Sequence, residues 1–333
     1  MITNLITSAP GLAAVISASQ WGGIPSPERG TLYIGNFPLR GYAMMLLLGI
    51  VAAAIIGAIR YTTRTRVRGP IATVDTPLVD RADLPRHFWQ RPGAEDLMDV
   101  VFWSVPFGIV GARLYHVFTS PAAYFGPGGD IMRIFRVWEG GLGIIGAIAG
   151  GAIGAYLVCR RKGIRMPVLL DALAPGLLVA QAIGRWGNWF NQELFGGPTT
   201  LPWGLQISQS RMPTNPATGL QYPAGTLFHP TFLYESLWNL AAAALLVWID
   251  RRYRLGHGRV FLLYIYLYCL GRIWIEMLRV DPSQLIGGFR LNVWIVMVLG
   301  SIAIIAFAVV GYLHPGRESD ARRFLVADST DSQ

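Results

Sequence analysis

The chain has 333 residues, 53% of them apolar and 14% charged, with a mean hydropathy of +0.42. A water-soluble domain carries about a quarter charged residues, so this balance excludes a soluble globular protein and gives an all-α polytopic membrane protein as the fold class. The formal net charge of +9 reads as membrane topology and contact with anionic lipid. The arginines flank apolar runs and form no soluble basic face, so nucleic acid is not expected as a partner.

Residues 1–40 form an irregular N-terminal arm with Pro10, Pro25, Pro27 and Pro38. No basic region precedes its apolar patch at 11–18, so no cleaved leader is expected. Seven apolar runs follow that are long enough to span a bilayer, at about 41–59, 97–118, 140–159, 172–190, 233–249, 260–278 and 291–313. A polar segment, 60–96, separates the first two. A proline-rich insert, 196–230, is too polar to span and reads as a small extracytoplasmic head. The tail, 314–333, is polar. Cys159 and Cys269 each lie inside an apolar run and read as packing residues rather than a disulfide or a metal pair.

Basic clusters follow the first, third, fifth and seventh runs: Arg60 to Arg68, Arg160 to Arg165, Arg251 to Arg259, and the tail. Loops rich in arginine stay in the cytoplasm. The expected topology is seven spans with the N-terminus outside and the C-terminus inside. In the third run Gly146, Gly150 and Gly154 recur at four-residue spacing, a pattern that lets a second helix approach closely.

Charged and amide groups at membrane depth are costly and normally face a protected cavity. Gln181, Arg185 and Asn188 follow i, i+4, i+7 and share one helix face; Arg272, Glu276 and Arg279 repeat the spacing, and Tyr268 extends that face by a turn. With both helices running outward, Arg185 lies roughly 21 Å and Arg272 roughly 18 Å along a core about 30 Å thick. Tyr42, Arg113, His116 and Glu139 fall toward the same face. An intrahelical ion pair accounts for Arg272 and Glu276 taken singly; the matched depth of two stripes points to a site. Two arginines with amides and a carboxylate between them suit a phosphate-bearing ligand, and a lateral opening suits a lipid.

The segment G-R-W-G-N-W-F-N-Q-E-L-F-G (184–196) closely resembles the signature of the prolipoprotein diacylglyceryl transferases. Four further segments agree in order: Gly41-Tyr42, F-R-V-W-E-G-G (135–141), H-P-T-F-L-Y-E (229–235) and Y-L-Y-C-L-G-R-I-W-I-E-M-L-R (266–279). The resemblance runs from about residue 30 to about 310. It implies a bacterial inner-membrane, multi-pass enzyme, active toward the outer leaflet, that moves diacylglycerol from phosphatidylglycerol to the lipobox cysteine of a prolipoprotein and releases glycerol phosphate. Its implied partners are that lipid and the prolipoprotein signal peptide. No cofactor or metal is implied, and a monomer is expected. By motif match Arg185, Arg272, Asn188, Gly196 and Tyr268 bind phosphatidylglycerol, and Arg272, Glu276, Asn188, Glu193 and Tyr42 take part in catalysis. A multi-pass transporter and a non-catalytic lipid-binding protein are the alternatives.

One departure bears on mechanism. Many family members carry a histidine, proposed as the base, where this chain has Ile145. His116 is the nearest substitute, and Glu276 and Glu193 are the other candidates. A thiol has a pKa of about 8.5 and nearby arginines lower it, so thiolate can form with no histidine.

Overall fold

A computed structural model describes residues 22–34, 37–64, 94–215 and 218–318. The expectations for residues 1–21, for most of the 60–96 segment and for the tail beyond 318 lie outside the described residues. Among the described residues there are eight α-helices: α1 (Gly41–Arg64), α2 (Ala94–Thr119), the single turn α3 (Ala122–Phe125), α4 (Ile144–Lys162), α5 (Met166–Asn191), α6 (Thr231–Tyr253), α7 (Arg259–Leu278) and α8 (Leu291–Leu313). All but α3 are long and apolar enough to cross a membrane. Leu47, Phe102, Ile148 and Ile302 are exposed along them, as side chains facing lipid should be, while the helical ladder satisfies the backbone.

The helices depart from several expected boundaries, and each difference has a local cause. α1 extends to Arg64 because Arg60 and Arg64 turn back onto the buried Asp250. The third span starts at Ile144 because Gly140 and Gly141 adopt φ of 95° and 71°, conformations a helix cannot continue. α5 begins at Met166, ahead of the buried Asp171.

The chain forms two compact units. The first comprises Met1–Ile50, Leu178–Ala242 and Tyr266–Ile302. Here α1 lies close against the second half of α5. A Cβ on Gly41 would meet the Phe190 ring at 2.5 Å, and one on Gly49 would meet the Ala180 carbonyl at 2.9 Å. Three small antiparallel sheets join the helices. β1 (Thr31–Ile34) pairs with β2 (Phe37–Arg40) ahead of α1. In the 196–230 insert, β3 (Pro198–Thr199), β4 (Leu205–Gln206) and β5 (Leu227–Phe228) stand in the order β3-β5-β4 over a core of Phe195, Leu205, Ile207, Met212, Phe228 and Phe232. Gln192 ties this insert down: its Nε2 donates to the Pro27 carbonyl at 2.7 Å and its Oε1 accepts from Ser208 N at 2.8 Å. β6 (Leu285–Ile286) and β7 (Phe289–Arg290) form a hairpin through Gly287 and Gly288, both at positive φ, the tight turn that two-residue hairpins favour.

The second unit comprises Val51–Leu177, Ala243–Ile265 and Ala303–Gln333. Its seam between α2 and α4 is lined with glycine, as the four-residue spacing predicts. A Cβ on Gly146 or Gly150 would collide with the carbonyl of Gly111 or Phe107, and one on Gly154 would meet the Trp103 carbonyl at 3.0 Å. Removing Cβ lets backbones touch, the main source of helix association where lipid removes the hydrophobic drive. Asp250 gathers Arg60 (2.7 Å), Arg64 (2.9 Å) and Arg317 (2.7 Å). Asp171, fully buried, accepts from the backbone N–H of Phe261 at 3.0 Å and Gly258 at 3.2 Å, capping the start of α7.

Candidate active site

Three carboxylates and four arginines of the first unit form one continuous chain of ion pairs. Arg185, on α5, bonds through Nε to Glu235 on α6. Arg272, on α7, bonds to the other oxygen of Glu235 at 2.6 Å and, one turn along its own helix, to Glu276 at 2.6 Å. Glu276 is fully buried and also receives Arg279 at 3.2 Å, Arg290 at 2.8 Å and the Asn292 amide at 3.1 Å. Arg279 and Arg290 then converge on Asp281, at 2.7 Å and 2.8 Å. Burial pushes the Asp281 carboxyl up, but Arg279 and Arg290 more than offset it and hold it below the usual carboxylate range.

The sequence dictates this convergence. Spacing of four and three puts Arg272 and Arg279 on the face that carries Glu276. The hairpin then returns Arg290 to the end of the same helix, where it also donates to the carbonyls of Asp281 (2.9 Å) and Arg279 (3.1 Å). Four cations against three anions leave the chain one positive charge in excess. Arg185, at its open end, is the most accessible of the four arginines, its side chain 21% exposed against 12% or less for the others. The arrangement carries net positive charge that an anionic oxygen acceptor can satisfy.

Arg185, Arg272 and Glu276 are thus brought together in one network. Tyr268 is half-buried one turn before Arg272 and interacts with it electrostatically. Asn188 is buried on α5 one turn beyond Arg185, and its amide donates to Glu193 at 3.0 Å, as does that of Asn191. Glu193 itself is exposed. Tyr42 packs on Gly187, where a Cβ would meet its ring at 2.5 Å. Gly196 is a closure point: its N–H donates to the His229 carbonyl at 2.9 Å, Gly197 donates to Leu278 at 2.9 Å, and a Cβ at Gly196 would strike both neighbours.

His116 belongs to the second unit, where its Nδ1 bonds the Tyr124 hydroxyl at 2.8 Å. Beside it, Arg113 clasps the loop before α4 through the carbonyls of Arg133, Ile134, Arg136, Gly140 and Gly141. Glu139 pairs with Arg133 and Arg136 in the same loop. Cys159 and Cys269 are free and buried. Among the described residues, no cluster of His, Cys, Asp and Glu could hold a metal ion.

Sequence reasoning missed Glu235, Asp281, Arg290 and Asn292. Glu235 carried a usable signal, a carboxylate inside an apolar run, and is the residue that joins the two arginine stripes. Asp281 and Arg290 read as ordinary loop charges until the hairpin folds them back.

The profile of the family described as prolipoprotein diacylglyceryl transferase matches residues 29–310. The phosphatidylglycerol–prolipoprotein diacylglyceryl transferase of Streptomyces griseus subsp. griseus is 48% identical over 295 residues, which cover 89% of this chain and 80% of the relative. The protein of the same name from Frankia alni is 48% identical over 287 residues, 86% of this chain and 67% of the relative. That from Mycobacteroides abscessus is 44% identical over 301 residues, 88% and 80% respectively. With a match across most of its length, this chain belongs to the prolipoprotein diacylglyceryl transferase family.

Proposed function

We infer that this chain is a membrane enzyme that transfers the diacylglyceryl group of phosphatidylglycerol to the lipobox cysteine of prolipoproteins, with the arginine pair on Glu235 as its phosphate clamp. Family membership carries the reaction. The observation that carries the site is the shared grip of Arg185 and Arg272 on one carboxylate. A carboxylate and a phosphate monoanion offer the same pair of acceptor oxygens to a guanidinium, so Glu235 is the internal stand-in that a lipid phosphodiester displaces.

The cysteine thiol loses its proton to water, aided by the surrounding positive charge. The thiolate attacks the glycerol carbon that bears the phosphate ester. The C–S bond forms as the C–O bond breaks, and the electron pair leaves on glycerol phosphate. Charge on that leaving phosphate rises through the step. Arg272 and Arg185, fixed before the reaction, stabilise it where it develops. Glu276 holds Arg272 in place. Tyr268 and Tyr42 donate to the headgroup, and Asn188, braced by Glu193, binds its oxygens. Gly196 keeps the head sealed onto α7. No histidine base is required, consistent with Ile145 at the position of the family histidine. His116 is assigned to structure, and Tyr124 supports that assignment.

The basic ends of α4 (Arg160, Arg161, Lys162) and α6 (Arg251, Arg252) support a cytoplasmic location for those ends and an outer-leaflet location for the clamp. The 196–230 insert is then the extracytoplasmic head. The enzyme acts as a monomer on two partners, the lipid and the signal peptide.

The test is a gel-mobility shift of a lipobox peptide incubated with purified protein and phosphatidylglycerol. A shift is expected with phosphatidylglycerol and none when the peptide cysteine is replaced by serine. Full activity of Arg272→Ala in that assay would end the clamp assignment.

A further inference from the structure

Glu276 carries one negative charge and three arginines draw on it. Its Oε2 is held by Arg272 at 2.6 Å and Arg279 at 3.2 Å, and its Oε1 by Arg290 at 2.8 Å and the neutral Asn292 amide at 3.1 Å. Arg290 reaches this carboxylate from outside α7. It closes β7, one residue before α8, and the Gly287-Gly288 turn delivers it. Each of its nitrogens is engaged: Nε on Glu276, Nη1 on the carbonyls of Asp281 and Arg279, Nη2 on the Asp281 carboxylate at 2.8 Å. Its position is therefore fixed by the hairpin rather than by any ligand.

This geometry has an electrostatic consequence for Arg272. Charge on Glu276 that is neutralised by Arg290 does not neutralise Arg272. Take Arg290 away, and Oε1 keeps only an uncharged donor; Glu276 then holds Arg272 more tightly and the region loses a unit of positive charge. Both effects weaken the pull of Arg272 on an anion, and in a buried site neither is screened as it would be in water.

We propose that Arg290 is a positioning residue for the transferase reaction: anchored by the β6–β7 hairpin, it draws on Glu276 and so sets how strongly Arg272 binds the lipid phosphate. The proposal rests on the phosphate-clamp reading above. Arg290 touches neither lipid nor peptide, and its influence passes through the Glu276 carboxylate.

The sign can be tested in both directions. Arg290→Gln removes the charge, so KM for phosphatidylglycerol in mixed micelles is expected to rise about tenfold, the scale of one charge-assisted contact. The inhibition constant of added glycerol phosphate should rise by a similar factor, with the effect on KM exceeding that on kcat. Arg290→Lys keeps the charge and should restore most of the lost affinity. Asp281→Asn acts oppositely: with that carboxylate neutral, Arg279 and Arg290 lean harder on Glu276, Arg272 is released, and KM falls or holds level. Asp281 is partly exposed, so this variant tests the proposal even where Arg290→Gln does not fold. An unchanged KM in Arg290→Gln, a loss confined to kcat, a lysine variant as impaired as the glutamine one, or a raised KM in Asp281→Asn would each overturn it. Arg272→Ala, assayed alongside, separates the two levels. If it keeps activity, the clamp itself is wrong; if it is inactive while Arg290→Gln binds normally, only the role of Arg290 fails.

Discussion

Around Asp250 three arginines converge on one carboxylate, and two of them also donate to main-chain carbonyls: Arg64 to Leu255 at 2.8 Å, and Arg317 to Asp250 at 3.0 Å and Leu255 at 3.1 Å. Around Glu235 two arginines converge on one carboxylate, side chain to side chain. Each cluster is built of arginines on one buried carboxylate. In the Asp250 cluster the charges close the end of α6 and, through Asp171, the start of α7, so a ligand could enter only by undoing helix ends. At Glu235 an incoming anion replaces a carboxylate and leaves the main chain intact. A buried ion pair by itself is therefore weak evidence of function. What distinguishes a site is whether its donors can be released without unfolding anything.

The sharpest way to break this contrast is to truncate one member of each cluster. Arg272→Ala is expected to cut the transfer rate by about 10²–10³-fold, the usual cost of one preorganised electrostatic donor. Asp250→Ala should instead lower stability by about 3–5 kcal/mol, because it strands buried arginines, while activity per folded molecule changes little. Thermal unfolding in detergent, read beside the peptide assay, gives both numbers. If Asp250→Ala abolished activity without destabilising the fold, the contrast would collapse.

Glu235→Gln sharpens it further. The two arginines are freed of a competing anion but lose the charge that holds them in place, so KM is expected to hold level or fall while kcat drops about tenfold, less than for losing an arginine. A variant as inactive as Arg272→Ala would give Glu235 a more direct part in the chemistry.

A pH titration adds a milder test. The folded pKa of Asp281 is depressed, so its contribution to stability is complete above the ordinary carboxylate pKa of about 3.9 and is lost as pH falls through the lower folded value. Melting temperature should therefore show no Asp281-linked change from pH 7 down to about 5, and the wild-type advantage over Asp281→Asn should shrink only in stronger acid. The smallest effect is expected for His116→Gln, a change of no more than about fivefold in rate, since one lost hydrogen bond costs about 1 kcal/mol. A steep loss with a shifted pH–rate profile would make His116 the base after all.

Much of the helical frame could be read from the chain because the bilayer imposes it: long apolar runs, arginines at their ends and a four-residue glycine stripe each follow from one physical demand. The Arg185 and Arg272 stripes were legible for the same reason, since charge at membrane depth is conspicuous. Asp250 and Arg60 were not, because a charge near a helix end looks the same whether it meets water or a buried partner. Arg290 was hidden differently. Its role depends on a two-glycine turn reversing the chain, and no periodicity within one helix records a partner delivered from the next loop. Arg113 shows the opposite error. Its depth matched the other polar groups, yet its donors hold loop carbonyls.

The glycine seam between α2 and α4 also bears on biogenesis. These two spans are near neighbours in the chain, and their backbones meet over successive turns without any side chain having to find a rotamer. Contacts local in sequence form fastest, and the loop between the spans is already fastened by Arg113. The α2–α4 hairpin is thus suited to assemble early, before the last spans have been inserted. A bulky residue in the seam would show first as failed membrane insertion rather than as slow catalysis.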